Sequence, residues 1–166
     1  MTGIRQFATI STGVVAGSAG GLAEIAWVTL YAGVTGGDPA VLARGVTTAA
    51  GLSTVLPTHL AAVGISVHMA LAVLLGVATV AMWKLSGEKR FGSGNLLPFV
   101  LAILLGVWAI NFFVVLPIVS PQFVHLASYA VSLTSKLLFG AAAAAVIAAA
   151  PAVEPCEEAR VTNKSH

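Results

Sequence analysis

Four strongly polar side chains stand inside long apolar runs of this sequence: Glu24, His68, Asn111 and Lys136. A carboxylate, an imidazole, a carboxamide and an ammonium can form a buried ion pair with its hydrogen bonds completed by the neutral partners, which fixes how helices register. The same groups can also pass protons, because burial moves their affinity for a proton. Ionisable groups cost several kcal/mol in an apolar medium, so their placement there is the most informative feature of the chain. No second acid lies in any apolar run, so a relay built on these residues lacks a link toward one side.

A second set lies near the ends of the runs. His59 and His125 are expected at a common depth, where two imidazoles can ligate haem or a divalent metal, with Asp38 as a third ligand or Arg44 pairing a haem propionate. Their spacing matches no metal motif, and interfacial histidines commonly serve as hydrogen-bonding anchors, so no cofactor is expected and haem or a metal is the alternative. There is no GxSxG, no phosphate-binding glycine loop followed by Lys-Ser/Thr and no HExxH, so no catalytic residue is assigned and a non-enzymatic role is expected.

These residues must be held by apolar elements. Hydrophobic residues make up 58% of the chain and charged residues 8%, against roughly a quarter charged in ordinary globular domains. So few charges cannot cover a water-exposed surface. Four apolar runs exceed the roughly 20 residues needed to cross a bilayer, and they predict spans at about Phe7–Val34, Pro57–Trp83, Leu96–Val119 and Phe123–Ala150, with Pro151 and a polar tail over 151–166 ending the last. The expected fold is all-α: an integral membrane four-helix bundle, up-down-up-down, with a lipid bilayer as its partner. The first run continues past the small residues of AGSAGG, so it is read as a retained span rather than a cleaved signal.

Rotation brings the polar residues together. Gly13, Gly17 and Gly21 form a glycine-zipper run, GxxxGxxxG, and at about 100° per residue Glu24 falls close to the face they define, which turns the acid toward a helix contact. Ala61, Gly64 and His68 share a face on the second span. His125, Tyr129, Ser132, Lys136 and Gly140 fall on one stripe of the fourth, and such a stripe must point into protein or a wet cavity. Counted from Phe123, Lys136 lies deeper than the other three, and its long side chain must lean back to join them.

Between the first two spans, GGDPAVLARGVTTAAG carries a helix-start signal, with Asp38 as N-cap and Pro39 at the first helical position, and predicts a short helix lying at the outer interface. Arg5, Lys84, Lys89, Arg90, Arg160 and Lys164 flank one side, and Arg44 alone lies in a loop on the other. That bias predicts cytoplasmic termini. The eight Lys and Arg are dispersed, so no nucleic-acid partner is expected. Cys156, the sole cysteine, is a tail thiol and cannot form an internal disulfide. Asn163 matches a glycosylation pattern that a cytoplasmic tail would not use. Trp27, Trp83, Trp108, Tyr31 and Tyr129 read as interface anchors.

The segments AEIAWVTLYAG, LARGVTTA, ISVHMALAVLLG, WAINFFVVLPIVSPQFVHL and SLTSKLLFG resemble a group of small four-span bacterial inner-membrane proteins with no assigned activity. The likeness runs from about Ala23 to Gly140 and includes Glu24, Arg44, His68, Asn111, His125 and Lys136. It implies a multi-pass protein of the bacterial cytoplasmic membrane and transfers no chemistry. An accessory or assembly subunit is therefore the expected role, with proton or small-cation permeation and haem or metal binding as alternatives. Four spans enclose little volume, so a homo-oligomer or a larger membrane complex is expected.

Overall fold

The computed structural model describes residues 2–54, 57–87, 92–126 and 128–150. Every regular element among them is helical. Four helices are long and apolar enough to cross a membrane, over Gln6–Thr35, Leu60–Leu85, Leu96–Val119 and Tyr129–Ala149. The polar tail, Lys89, Arg90 and the side chain of Arg5, on which the orientation expectation rests, lie outside the described residues.

Helix α1 (Thr2–Thr35) is the central element, packed on one side against α3 (Leu60–Met82) and on the other against α7 (Tyr129–Ala149). It ends where Gly36 adopts a φ of +74°, a conformation that costs glycine little, and the Gly37 N–H closes the last turn onto the Ala32 carbonyl at 2.8 Å. Its small residues divide between the two neighbours. Gly13 faces the backbone of Val77, Gly17 faces Ala72 and Val73, and Gly21 faces Ala72 and Met69, all on α3. Gly20 instead leaves room for the ring of Phe139 on α7. On each side residue numbers rise on one helix as they fall on the other, so both pairs are antiparallel.

Helix α4 (Leu96–Ile110) packs on α7, with Leu101 and Leu104 against Gly140. It meets the end of α3 through Trp83, whose indole sits edge-on to Phe99 at 5.1 Å. At that end the main core gathers Ala16, Val80, Trp83, Val100, Leu104, Phe139 and Ala143 from all four spans. Beyond α4 the third span continues as a wider π turn, Asn111–Val115, in which the Leu116 N–H reaches the Asn111 carbonyl, and then as α5 (Leu116–Val119). Pro117 accounts for the change of pitch, since it has no N–H to give to the Phe113 carbonyl and its ring crowds that carbonyl.

At the opposite end from Trp83 the bundle is completed by the loop helix α2 (Ala40–Ala49). It begins as the sequence indicates: Pro39 already has helical angles (φ −61°, ψ −24°), and the Asp38 carboxylate accepts the Ala40 N–H at 2.8 Å. Gly64 of α3 gives it a close seat, because a Cβ there would overlap the Ala43 carbonyl. Thr47 is fully buried and donates to the Leu60 carbonyl at 2.5 Å. The other flank of α2 rests on α6 (Pro121–Leu126), where Gly45 meets the ring of Phe123, and Leu42 joins a small core around Phe112 and Leu116. The close approach that Gly64 permits is thus with α2.

The fourth span differs from its sequence reading. The helix that contains Phe123, α6, ends at Leu126, and α7 starts at Tyr129 after Ser128, whose ψ of 136° is extended. His125 therefore belongs to α6 and not to the stripe of Lys136.

The Gly64 seat gives a paired prediction. Gly64→Ala should lower stability in detergent by about 1–3 kcal/mol, as overpacking does. Gly106→Ala, at a position with no atom within 4 Å of an added Cβ, should be neutral or stabilising by up to about 1 kcal/mol. Thermal melting of the two variants beside the parent checks it, and equal melting points for all three would contradict the α2 docking.

Candidate functional site

Glu24 follows Gly21 by three residues and Gly20 by four, so it stands on the ridge common to the two packing faces of α1. One side of it addresses α3 and the other α7. The side chain is 3% exposed. Lys136 of α7 places Nζ 2.6 Å from Oε1, and the Ser135 hydroxyl donates to the same oxygen at 3.0 Å. From α3, His68 brings Nε2 to 3.4 Å from Oε2, without hydrogen-bond alignment. One carboxylate thereby touches both neighbouring helices.

With α7 starting at Tyr129, Lys136 is no longer the deepest of the three, and all lie within about one helical turn of one another. Measured along each helix from the α2 end, Glu24 lies roughly 16 Å in, His68 roughly 12 Å and Lys136 roughly 10 Å. The Lys136 ammonium also sits 5.6 Å from the centre of the Phe139 ring, on the face where a cation is attracted.

Two indoles set the height of α7 against Glu24. Trp27, one turn beyond Glu24, donates from Nε1 to the Val131 carbonyl at 3.0 Å, and Trp108 of α4 donates to the Ser132 hydroxyl at 3.0 Å. Val131 and Ser132 lie one turn from Ser135 and Lys136. The two tryptophans therefore do more than anchor an interface, because their N–H groups bind inside the bundle. Trp108 continues into a ring cluster with Phe112, Phe113 and Tyr129, and Phe113 stacks on Tyr129 at 5.8 Å.

Among the described residues no hydrogen bond links the Asn111 side chain to Glu24, His68 or Lys136. Asn111 stands at the first position of the π turn, which re-aims the end of the third span. Ser135 is the partner the sequence reading passed over. Its signal was adjacency to Lys136 on a helix face that must meet Glu24, but a lone serine in an apolar helix more often bonds its own backbone.

The rim residues take other partners. Arg44 and Asp38 pair with each other at the start of α2. His59 precedes the first turn of α3 and, with Arg44, Pro57 and Thr58, lines an open cavity of about 360 Å³. A second cavity, of about 240 Å³, lies between α2 and α6 and is lined by Arg44, Thr48, Gln122 and Phe123. The side chain of His125 lies outside the described residues. Among the described residues, no three His, Cys, Asp or Glu side chains gather as a metal site would require. Comparison with family models, with curated proteins and with solved structures gives no match to this chain.

The guanidinium of Arg44, with the Ala40 N–H, holds the Asp38 carboxyl below the usual carboxylate range. A depressed folded-state value stabilises the protein at neutral pH, and that contribution disappears as pH falls through the depressed range. Asp38→Asn should therefore melt below the parent at neutral pH, with the gap closing on acidification and narrowing in high salt. A gap that widens toward low pH would contradict the pairing.

Proposed function

We propose that this chain is a non-enzymatic, multi-pass protein of the bacterial cytoplasmic membrane that acts as an accessory or assembly subunit. Its spans are held in register by the buried Glu24–Lys136 pair. The single observation that carries the reading is the 2.6 Å contact between these two side chains, with Ser135 on the same oxygen. A charge pair used this way is consumed in joining α1 to α7. Both charges are satisfied by each other rather than being presented to a substrate.

The surface supports a role in association. The outer faces of α1 and of the third span carry exposed Phe7, Leu22, Leu30, Ile110, Phe113 and Ile118. Such faces suit acyl chains or the helices of another membrane protein. The excess of Lys and Arg at one set of span ends supports cytoplasmic termini, and the resemblance to small bacterial inner-membrane proteins supports the location. A homo-oligomer or a larger membrane complex would give those faces partners.

The test is a double-mutant cycle on stability in detergent. Glu24→Gln or Lys136→Met alone leaves one buried charge unmatched and should cost roughly 3–5 kcal/mol. Glu24→Gln combined with Lys136→Met removes both charges and should recover much of that loss. Single variants as stable as the parent, or a double variant that loses the sum of the two, would refute the structural role of the pair.

A further inference from the structure

On the far side of the carboxylate from Lys136, two polar atoms face each other without a bond. Glu24 Oε2 and His68 Nε2 are both buried, each lacks a hydrogen-bond partner, and they are 3.4 Å apart. Buried polar atoms are nearly always paired, because an unpaired one costs about 1–3 kcal/mol, so two facing each other call for an explanation. A neutral ring carries one N–H, and with that proton on Nδ1 the Nε2 atom presents a lone pair. Two acceptors then oppose each other across the gap.

We propose that Glu24 and His68 form a proton-binding site, in which one proton taken up on His68 Nε2 is shared with Glu24 Oε2. The balance is simple: a proton from water adds to the Nε2 lone pair, the imidazole becomes imidazolium, and the new N–H donates to Oε2 as the two atoms close to hydrogen-bonding distance. No other bond forms or breaks. The three-residue cluster passes from neutral to singly positive, with Glu24 between two cations.

The geometry suits exchange with the surroundings. Glu24 is sealed at 3% exposure, whereas the His68 side chain is 28% exposed, so the imidazole is the less enclosed edge of the cluster. The charged groups around it are Glu24 from α1 and Lys136 from α7. Helix α2, which packs one turn away at Gly64, presents Ala43 and Thr47 there, and both are uncharged. Burial of the ring and the Lys136 charge oppose the added proton, and Glu24 favours it. Glu24 is the nearer in bonding terms, because Lys136 is already engaged on Oε1. The site stands apart from the role proposed for the ion pair: the pair uses Oε1, and the proton uses Oε2.

Two measurements on the full chain in lipid nanodiscs test it. Histidine-selective ¹⁵N NMR between pH 8 and pH 5 should show His68 passing from a neutral to a doubly protonated ring, with its midpoint lower by about one pH unit or more in Glu24→Gln, a tenfold loss of proton affinity. Proton uptake over the same range should be smaller in His68→Gln by about one proton per chain. A His68 ring that stays neutral throughout, or a midpoint unmoved by Glu24→Gln in a folded variant, would overturn the proposal. If Glu24→Gln does not fold, the uptake difference decides alone, and a deficit below about half a proton would overturn it.

Discussion

A carboxylate inside an apolar bundle has no water to solvate it, and the packing around Glu24 follows from that constraint. Its charge must be met by protein groups within hydrogen-bonding reach. Lys136 and Ser135 supply them from α7, and His68 flanks the remaining oxygen from α3. Because Glu24 sits where both faces of α1 meet, this requirement couples three helices at one depth. Sliding α7 by a single turn would strand the carboxylate and the ammonium together.

The remaining structure makes that register attainable. Glycine at positions 13, 17 and 21 lets α1 approach α3 closely, and Gly20 admits Phe139 on the other side. Trp27 and Trp108 fix the first turn of α7 through their N–H groups, so Ser135 and Lys136 arrive at the level of Glu24. At the other end of α4, Trp83 closes the gap between the second and third spans. Helix α2 fills the corresponding space at the near end by docking in the groove at Gly64.

Much of this was legible in the residues. The four long apolar runs, the glycine face of α1, the helix start at Asp38-Pro39 and the placing of Glu24 beside it follow from period and composition. The start of the fourth span did not, because FVHLASYAV is uniformly apolar enough for a continuous helix and carries no glycine or proline at the break. That misplacement also put His125 on the stripe of Lys136 and made Lys136 look too deep. Asn111 was grouped with the cluster by depth alone. Depth alone does not report rotation about the helix axis. The seats of Gly64 for α2 and of the two indoles on α7 are contacts between segments far apart in sequence, which periodicity within one helix does not encode.

The claim that one carboxylate joins the helices is tested most directly by a distance. Solid-state NMR in lipid bilayers, with ¹³C at the Glu24 carboxyl and ¹⁵N at the Lys136 ammonium, reads their separation through dipolar recoupling. Direct ion-pair contact places these nuclei at about 3–4 Å and predicts strong dephasing. A separation beyond about 6 Å would mean that the charges are met elsewhere, and the register described here would be wrong.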